Sequence, residues 1–283
     1  MTSRVAQLIV SLSLAATFAA CAAPGPLNGR ASDEWTHQYP LTSTGEIRIG
    51  NTNGLIEVEA VEGTGNDVEV RAERIAHAVT DAGARDLLPR IAIKEDIKPD
   101  AVSIETEKMG GIMIGASFEV RYHVRAPKNA TVHVSTTNGR ITLTGLSGAV
   151  SAETTNGAIS GKALGGGAGA VEAETTNGPI NIDMAALGAG KVRVETTNGP
   201  VTLTVPDATK ADVQASVTNG QISMMAQNFE ASDRSRRHVE GKLNGGGTSI
   251  DLSTTNGPIR FATRSQGGNL PAPLRGSELR GRP

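Results

Sequence analysis

The sequence predicts an all-β chain, a single-chain β-solenoid or right-handed β-helix with coils of about 21 residues and one short helix in its N-terminal half. Two observations carry this prediction. Short alternating strands flank a Thr-Asn-Gly motif that recurs along the chain, and the step between copies is nearly constant. In addition, aromatic residues make up 2% of the 283 residues whereas glycine numbers 34. A core of Val, Ile, Leu, Ala and Thr suits thin, regularly stacked strands.

The clearest copy of the repeat is residues 192–205, VRVETTNGPVTLTV. It consists of an alternating segment, a Thr-Thr-Asn-Gly corner and a second alternating segment. The unit recurs around Asn53, Asn138, Asn156, Asn177, Asn198, Asn219 and Asn256. From Asn138 to Asn219 the successive differences in residue number are 18, 21, 21 and 21, which is typical of one coil per step.

Each copy places apolar residues on one face of both segments. Counted from the asparagine, positions −6, −4 and +3 are apolar, and position +5 is apolar with Gly161 as the exception. Val192, Val194, Val201 and Leu203 show this pattern, and the residues between them are polar. The period of two predicts a pair of strands that each turn one face inward.

Two architectures fit this register. Asn-Gly between alternating strands is a strong signal for a two-residue hairpin. However, position +2 is proline at Pro179, Pro200 and Pro258, and a proline cannot donate the N–H that closes a hairpin turn. We therefore favour a solenoid corner, with the tight hairpin as the alternative.

In a solenoid the corners lie in register, so their side chains stack. We expect an amide ladder of Asn138, Asn156, Asn177, Asn198, Asn219 and Asn256, as in stacked identical strands. We expect Thr137, Thr155, Thr176, Thr197, Thr218 and Thr255 to stack beside it. The motif is interpreted as structural rather than as a surface that recognises a ligand.

The N-terminus predicts export and lipid anchoring. Arg4 precedes an apolar run over residues 5–20, which is too short for a spanning helix of about 20 apolar residues and is typical of a signal peptide. Phe18-Ala19-Ala20-Cys21 resembles the bacterial lipobox, with phenylalanine where leucine is usual. The resemblance implies cleavage after residue 20 and lipidation of Cys21, the only cysteine. Residues 21–33 then form the lipidated cysteine and its Pro/Gly-rich tether.

The following residues refine the expected location and organisation. Ala22 rather than aspartate follows the cysteine, which by resemblance to lipoprotein sorting implies the outer membrane if the source is Gram-negative. Residues 34–264 form one predicted solenoid domain and residues 265–283 a disordered tail. In the first half, strands are predicted over 45–60 (the first copy), 67–74, 90–94, 101–106 and 117–124, and residues 109–115 form a Gly-rich strand or loop. A helix is predicted after Thr80 and Asp81, ending at Pro89.

The repeat is interrupted once near its end, between Asn219 and Asn256. The step there is 37 residues, which is 21 plus 16, and the surplus lies in residues 226–241. This charged insertion contains Arg234, Arg236, Arg237 and His238. Insertions in solenoids project from the surface and often carry binding. We therefore expect contact with an anionic partner, such as a lipid headgroup, a glycan, peptidoglycan or a protein.

No motif predicts a catalytic, cofactor-binding or metal-binding residue. The net charge is −2 with both signs interspersed, which gives no indication of nucleic acid. Glu153, Glu174 and Glu195 share position −3, so a cation such as Ca²⁺ between them is one hypothesis and a solvated acidic stripe the other. The scarcity of aromatic side chains argues against a polysaccharide-cleaving β-helix.

The lipobox followed by repeated TTNGxI units resembles the bacterial putative-adhesin family of uncharacterised exported β-solenoid proteins. The likeness extends over residues 45–263 and includes the closing GKLNGGG of residues 241–247. It implies a β-helix-like fold at the cell envelope and no established activity. We expect a non-enzymatic envelope lipoprotein, attached to the membrane by its N-terminal lipid, that acts as a rigid scaffold or as a binding or adhesion surface. Its partner would be an unidentified envelope protein or glycan; the alternative is a carbohydrate-active or carbohydrate-binding β-helix.

Overall fold

A computed structural model describes residues 27–61, 67–107, 115–165, 167 and 169–265. These residues form a 10-stranded sheet, called sheet 1, and an 11-stranded sheet, called sheet 2. The strands of the first half are β1 (Gly29–Pro40), β2 (Glu46–Asn53), β3 (Ile56–Val61), β4 (Asp67–Ala78), β5 (Ile93–Lys98), β6 (Ala101–Thr106) and β7 (Ala116–Pro127). The helix α1 (Asp81–Leu87) and a 3₁₀ helix (Leu88–Arg90) lie between β4 and β5.

The repeat half contributes two strands per copy of the motif. They are β8 (Thr131–Asn138), β9 (Ile141–Thr144), β10 (Val150–Asn156), β11 (Ile159–Gly165), β12 (Val171–Asn177), β13 (Ile180–Ala186), β14 (Val192–Asn198), β15 (Val201–Pro206), β16 (Ala211–Asn219), β17 (Ile222–Met225), β20 (Thr248–Asn256) and β21 (Ile259–Arg264). A hairpin of β18 (Phe229–Arg234) and β19 (His238–Leu243) separates the last two copies. The predicted all-β, solenoid-like fold is confirmed.

The Thr-Thr-Asn-Gly motif is a corner between the sheets, and the hairpin alternative is wrong. The strand before each asparagine belongs to sheet 2 and the strand after it to sheet 1, and equivalent strands pair in parallel. The prolines fit because each needs only its carbonyl there: Ile180 N donates to Pro200 O at 3.0 Å, and Val201 N donates to Pro258 O at 3.0 Å.

The core lies between the two sheets and is built from the predicted inward positions. Val194, Val201 and Leu203 are each 0% exposed, and burying such a side chain stabilises the fold by about 1.5–3 kcal/mol. Gly161, the exception at position +5, has a local cause. A Cβ there would lie 2.5 Å from Leu164 Cδ1, so the Leu164 side chain already fills the space that a larger residue would occupy.

The coils are not stacked in chain order at the C-terminal end. In sheet 2 the order is β14, β20, β16, β19, β18, so the last copy of the motif lies between the two copies before it. The residues predicted as a projecting insertion form the β18–β19 hairpin, which extends sheet 2 by antiparallel pairing of β19 with β16. The expectation of a simple insertion is therefore corrected. The hairpin pairs with the outer edge of β16, the last coil of sheet 2.

The N-terminal end also departs from the repeat, because β4 and β1 continue sheet 1 by antiparallel pairing beyond β7, and β5 pairs antiparallel with β6 in sheet 2. The predicted helix is confirmed, since Thr80 accepts a hydrogen bond from Gly83 N at 3.1 Å and acts as its N-cap. The strand expected over 90–94 is wrong: residues 88–90 are a 3₁₀ helix and the strand is β5. β1 also begins inside the predicted tether, because residues 29–33 pair with β4.

Several sequence predictions concern residues outside the described ranges. They are the signal peptide over 1–20, the lipidated Cys21, most of the Gly-rich segment 109–115 and the tail after residue 265. Within the described ranges, no helix has both the length and the apolar composition needed to span a membrane.

Candidate functional site

The predicted asparagine ladder is present and is longer than expected. From Asn138 onward, each side-chain amide donates to the amide oxygen of the preceding asparagine in the stack, at 2.8–2.9 Å. The order along the stack is Asn53, Asn138, Asn156, Asn177, Asn198, Asn256, Asn219. The ladder thus gains Asn53. Asn256 precedes Asn219 because β20 lies between β14 and β16. These amides bond to one another, which supports their structural interpretation.

A second row, at position −2, was not predicted. Its threonines are buried, being 2–6% exposed: Thr136, Thr154, Thr175, Thr196 and Thr254. Thr196 Oγ1 donates to Gly178 O at 3.1 Å, and its equivalents make the same bond to the preceding coil. The alternation that placed −6 and −4 inside also places −2 inside, so the signal was available. The threonines at −1, which we expected to stack beside the asparagine ladder, are exposed on the outer side of the corner.

The row at −2 has two members without this hydrogen bond. Thr136 Oγ1 is buried with no partner. The carbonyl that it would reach, Gly54 O, instead accepts from Asn51 Nδ2 at 3.3 Å. In the coil of Asn219 the position is Val217, 5% exposed, which has no donor. These two exceptions allow the contribution of the hydrogen bond to be separated from that of the side-chain volume.

The stacked glutamates are adjacent, as predicted. Glu153 lies opposite Glu174, and Glu174 opposite Glu195, on the outer face of sheet 2. Glu195 is partly neutralised because Arg193 donates to it at 2.8 Å. No cluster of three or more His, Cys, Asp or Glu in the described part of the chain is arranged to hold a metal ion. Glu153 and Glu174 are exposed on this face, and Glu195 is bonded to Arg193.

The predicted partner-contact residues come together at the tip of the β18–β19 hairpin. Arg234, Arg236 and Arg237 are exposed, and His238 is half-buried. Among the described residues, none of the three arginines forms an ion pair, whereas His238 Nε2 lies 3.9 Å from Glu240. The tip consequently presents three free guanidinium groups.

The backbone of this tip is fixed to the last coil. Val217 N donates to Arg237 O at 2.9 Å, and Ile222 N donates to Arg236 O at 3.2 Å. Ser235 Oγ in turn accepts from the backbone N–H of His238 at 2.9 Å. These bonds place the tip beside the corner of Asn219, at one end of the ladder. No sequence pattern indicates this attachment, because it uses backbone atoms of the tip.

A charged basin of about 780 Å³ lies on the outer face of sheet 1 at the opposite end of the stack, between β1, β4 and β7. Within it Glu34 lies opposite Glu73 on the neighbouring strand, so two carboxylate side chains share this face. However, Glu34 is paired with Arg71, and Glu73 with Arg30 and Arg121. Among the residues that the structure describes, no Trp, Tyr or Phe lines the basin. Its geometry fits an ion-pair network better than a site that cleaves sugars.

An aromatic cluster on β1 was also missed by the sequence. Trp35, His37 and Tyr39 alternate on one face, with ring centroids 4.3 Å apart for Trp35 and His37 and 5.9 Å apart for His37 and Tyr39. Tyr39 OH donates to Glu95 Oε2 on β5 at 2.7 Å, which ties the two sheets together. Burial, followed by the hydrogen bond and the negative charge of Glu95, raises the pKa of the Tyr39 hydroxyl well above its usual value.

The fold and its corners define a class of protein, the β-solenoid-like all-β proteins built from short repeated strands. More specifically, residues 115–261 match the Toastrack DUF4097 family. This match covers about half of the chain, and the chain belongs to that family. It agrees with the resemblance drawn from the TTNGxI repeats. The sequence has no match among curated proteins.

Three solved structures are similar over most of the chain. A putative cell adhesion protein from Clostridium sporogenes is 11% identical, with a TM-score of 0.45, over 83% of this chain and 100% of that one. A putative adhesin from Bacteroides fragilis is 10% identical, with a TM-score of 0.31, over 81% and 97%. A putative lipid binding protein from Parabacteroides distasonis is 10% identical, with a TM-score of 0.24, over 81% and 96%.

Proposed function

We propose that the protein is a non-enzymatic envelope lipoprotein that is anchored at one end of its solenoid and binds an anionic partner at the other. Cys21 supplies the lipid anchor, and the coils act as a rigid spacer. The arginines at the tip of the β18–β19 hairpin contact the partner. The membrane that holds the lipid anchor would be the outer membrane if the cell is Gram-negative.

The observation that carries this proposal is the position of the two ends. In sheet 2, β5 is the first strand and β18 the last of eleven. Ten spacings of about 4.8 Å separate them by about 48 Å. β1, which begins inside the predicted tether, lies at the same end as β5, since Tyr39 and Glu95 join the two. The free arginines are therefore held far from the predicted anchor.

The chemistry of the tip supports an anionic partner. A guanidinium group binds carboxylate and phosphate oxygens with two parallel hydrogen bonds. Arg234, Arg236 and Arg237 have no acidic partner among the described residues, so their charge is available to a ligand. The hydrogen bonds from Val217 and Ile222 to the tip carbonyls reduce the conformational freedom that binding would otherwise have to remove.

Cosedimentation with vesicles of anionic or neutral phospholipid, and with an anionic polysaccharide, tests this role. The variant replaces Arg234, Arg236 and Arg237 with Gln. Each arginine near an anionic surface contributes about 1 kcal/mol, so the triple variant should bind about 100-fold more weakly, with a shallower dependence on salt. The matched control removes the same charge from three exposed positions on the coils, Arg140, Lys210 and Arg260. Equal losses in the two triple variants, or no binding by the unmodified protein, would overturn the assignment to the tip.

The lipid anchor has a separate test. Cell fractionation of the Cys21→Ser variant should move the protein from the membrane to the soluble exported fraction. Retention of the variant in the membrane fraction would show that Cys21 is not the anchor. The binding result does not depend on this outcome, so the two parts of the proposal can fail independently.

The carbohydrate-active alternative rests on the opposed carboxylates of Glu34 and Glu73. It requires that the Glu73→Gln variant abolish turnover of a polysaccharide that the unmodified protein degrades. The arginine partners of both glutamates and the lack of a Trp, Tyr or Phe platform in the basin make a binding role the better supported one.

A further inference from the structure

The edge of sheet 1 at β1 is long, and beyond its first residues, where Asp81 of α1 binds Arg30 N, it is open. β1 has twelve residues, all paired with β4 in an unbroken antiparallel register. Among the described residues, no strand pairs with its other side. An edge of this kind presents unpaired N–H and C=O groups that can pair with another strand.

Two contacts show which backbone groups point to this open side. Arg30 N donates to Asp81 Oδ1 at 3.1 Å, outside the sheet, so the even-numbered residues of β1 direct their N–H groups away from β4. Independently, Tyr122 N donates to Leu55 O at 3.0 Å. By alternation the neighbouring His123 then faces β4, and Arg71 opposite it faces β7 rather than β1. Thr36, which lies opposite Arg71, therefore has its N–H and C=O on the open edge.

The other three edges carry features that block pairing. β18 has a register irregularity between Ala231 and Asp233. β5 has six residues, of which four are charged. β17 has four residues, and its Ile222 N–H is already bonded to the hairpin tip. Bulges, charges and short strands are the usual protection against edge pairing. Over residues 34–39, β1 has no bulge, no proline and one charged residue that is already ion-paired with Arg71.

The sequence around Thr36 is complementary to itself in the antiparallel direction. With a two-fold axis at Thr36, this residue faces its own copy and Glu34 faces Gln38. On the other face, half-buried Trp35 faces exposed His37. Aromatic and polar pairs of this kind each contribute about 0.2–1 kcal/mol, and no like charges are opposed. A two-fold centred at Glu34 would instead oppose two carboxylates.

We propose that two copies of this chain associate through their β1 edges, antiparallel and in register about Thr36. The pairing continues sheet 1 from one copy into the other and covers the ring faces of Trp35 and His37. This association is independent of the proposed role of the hairpin tip, which lies at the opposite end of the stack.

The test is site-directed crosslinking in the full-length chain, expressed in a bacterial host and oxidised mildly. In the proposed register the two Thr36 Cα atoms lie about 5.5 Å apart, within the range for a disulfide. Thr36→Cys should therefore give a covalent dimer on non-reducing gels. Ser32→Cys, on the same edge, should give at least tenfold less, because its copies lie about 26 Å apart. The unmodified chain measures any contribution from Cys21.

Light scattering of the purified, detergent-solubilised chain supplies the second readout. Thr36→Pro removes an N–H that β4 does not use, and proline is tolerated on edge strands. This variant should be monomeric, whereas Thr36→Val, which keeps the N–H, should remain dimeric. Absence of the Thr36→Cys dimer would overturn the proposal. Labelling of the Thr36→Cys thiol with maleimide measures its accessibility, and a thiol protected by residues 1–26 without a dimer would also overturn the proposal. Equal crosslinking at positions 32 and 36 would overturn the register.

Discussion

The buried threonine row makes a prediction whose sign depends on position. Thr196→Val keeps the shape of the side chain but removes the donor that reaches Gly178 O at 3.1 Å. Gly178 O is part-buried, and leaving such a carbonyl without a partner costs about 1–3 kcal/mol. For a domain of this size, 1 kcal/mol lowers the melting temperature by about 2–4 °C. We therefore expect Thr196→Val to lower it by about 4–8 °C, for a loss of about 2 kcal/mol.

The same substitution at Thr136 should behave differently. Thr136 Oγ1 already lacks a partner, so Thr136→Val removes a buried hydroxyl that contributes no hydrogen bond. We expect a melting temperature equal to or above that of the unmodified protein. The converse change, Val217→Thr, places a donor next to Gly257 O and should stabilise the fold by about 0.5–1.5 kcal/mol.

Thermal and urea unfolding followed by circular dichroism measure all three variants. Val217 shows that the corner accepts a valine side chain at this position. A loss of stability in Thr196→Val therefore cannot be explained by side-chain volume alone. Equal destabilisation of Thr196→Val and Thr136→Val would refute the assignment of stability to the hydrogen bond.

Three further predictions concern the ladder and the N-terminal end. Asn177→Ala removes two side-chain hydrogen bonds of 2.9 Å and should lower the free energy of unfolding in urea by about 1–2 kcal/mol. An unchanged urea midpoint would show that the asparagine ladder does not stabilise the fold. Asp33→Ala removes the two bonds of 2.6 and 2.8 Å that the half-buried guanidinium of Arg74 makes to Asp33, leaving its bond to Ile91 O, and should cost about 1–2 kcal/mol. Asp96→Ala, in an exposed pair, should change stability by less than about 0.5 kcal/mol. Burial raises the pKa of Tyr122 from 10.0 to about 12, so the folded state holds this proton more tightly than the unfolded state does. Its contribution is complete below pH 10 and is lost as the pH rises to 12; melting temperatures across this range should fall less steeply in Tyr122→Phe, and parallel curves would exclude Tyr122 as the cause.

The repeat half could be predicted from the sequence because its physical cause is periodic. A strand of period two repeated every 21 residues specifies which faces are buried and which corners align. The prolines after Gly178, Gly199 and Gly257 decided between a hairpin and a corner. The carbonyls of these prolines accept backbone hydrogen bonds from the neighbouring coil, so the absence of their N–H groups leaves no bond unmade there.

The two ends could not be predicted in the same way. Antiparallel pairs such as β1 with β4 follow no repeat, and nothing local indicates that β20 inserts between β14 and β16. That order depends on which edge is left for β19 to pair with, a competition between distant strands. The arginine cluster was visible as composition, but its attachment to Val217 and Ile222 uses backbone atoms, which no side-chain pattern reports.

A single continuous stack separates the end that carries β1 and β5, where the anchor is proposed, from the tip of the β18–β19 hairpin. Spin labels at Lys94 on β5 and Glu230 on β18, in a Cys21→Ser background, measure this most directly by pulsed electron resonance. Ten strand spacings lie between these strands, so we expect one narrow distance distribution centred at about 48 Å. A broad distribution, or a distance well below that value, would contradict it.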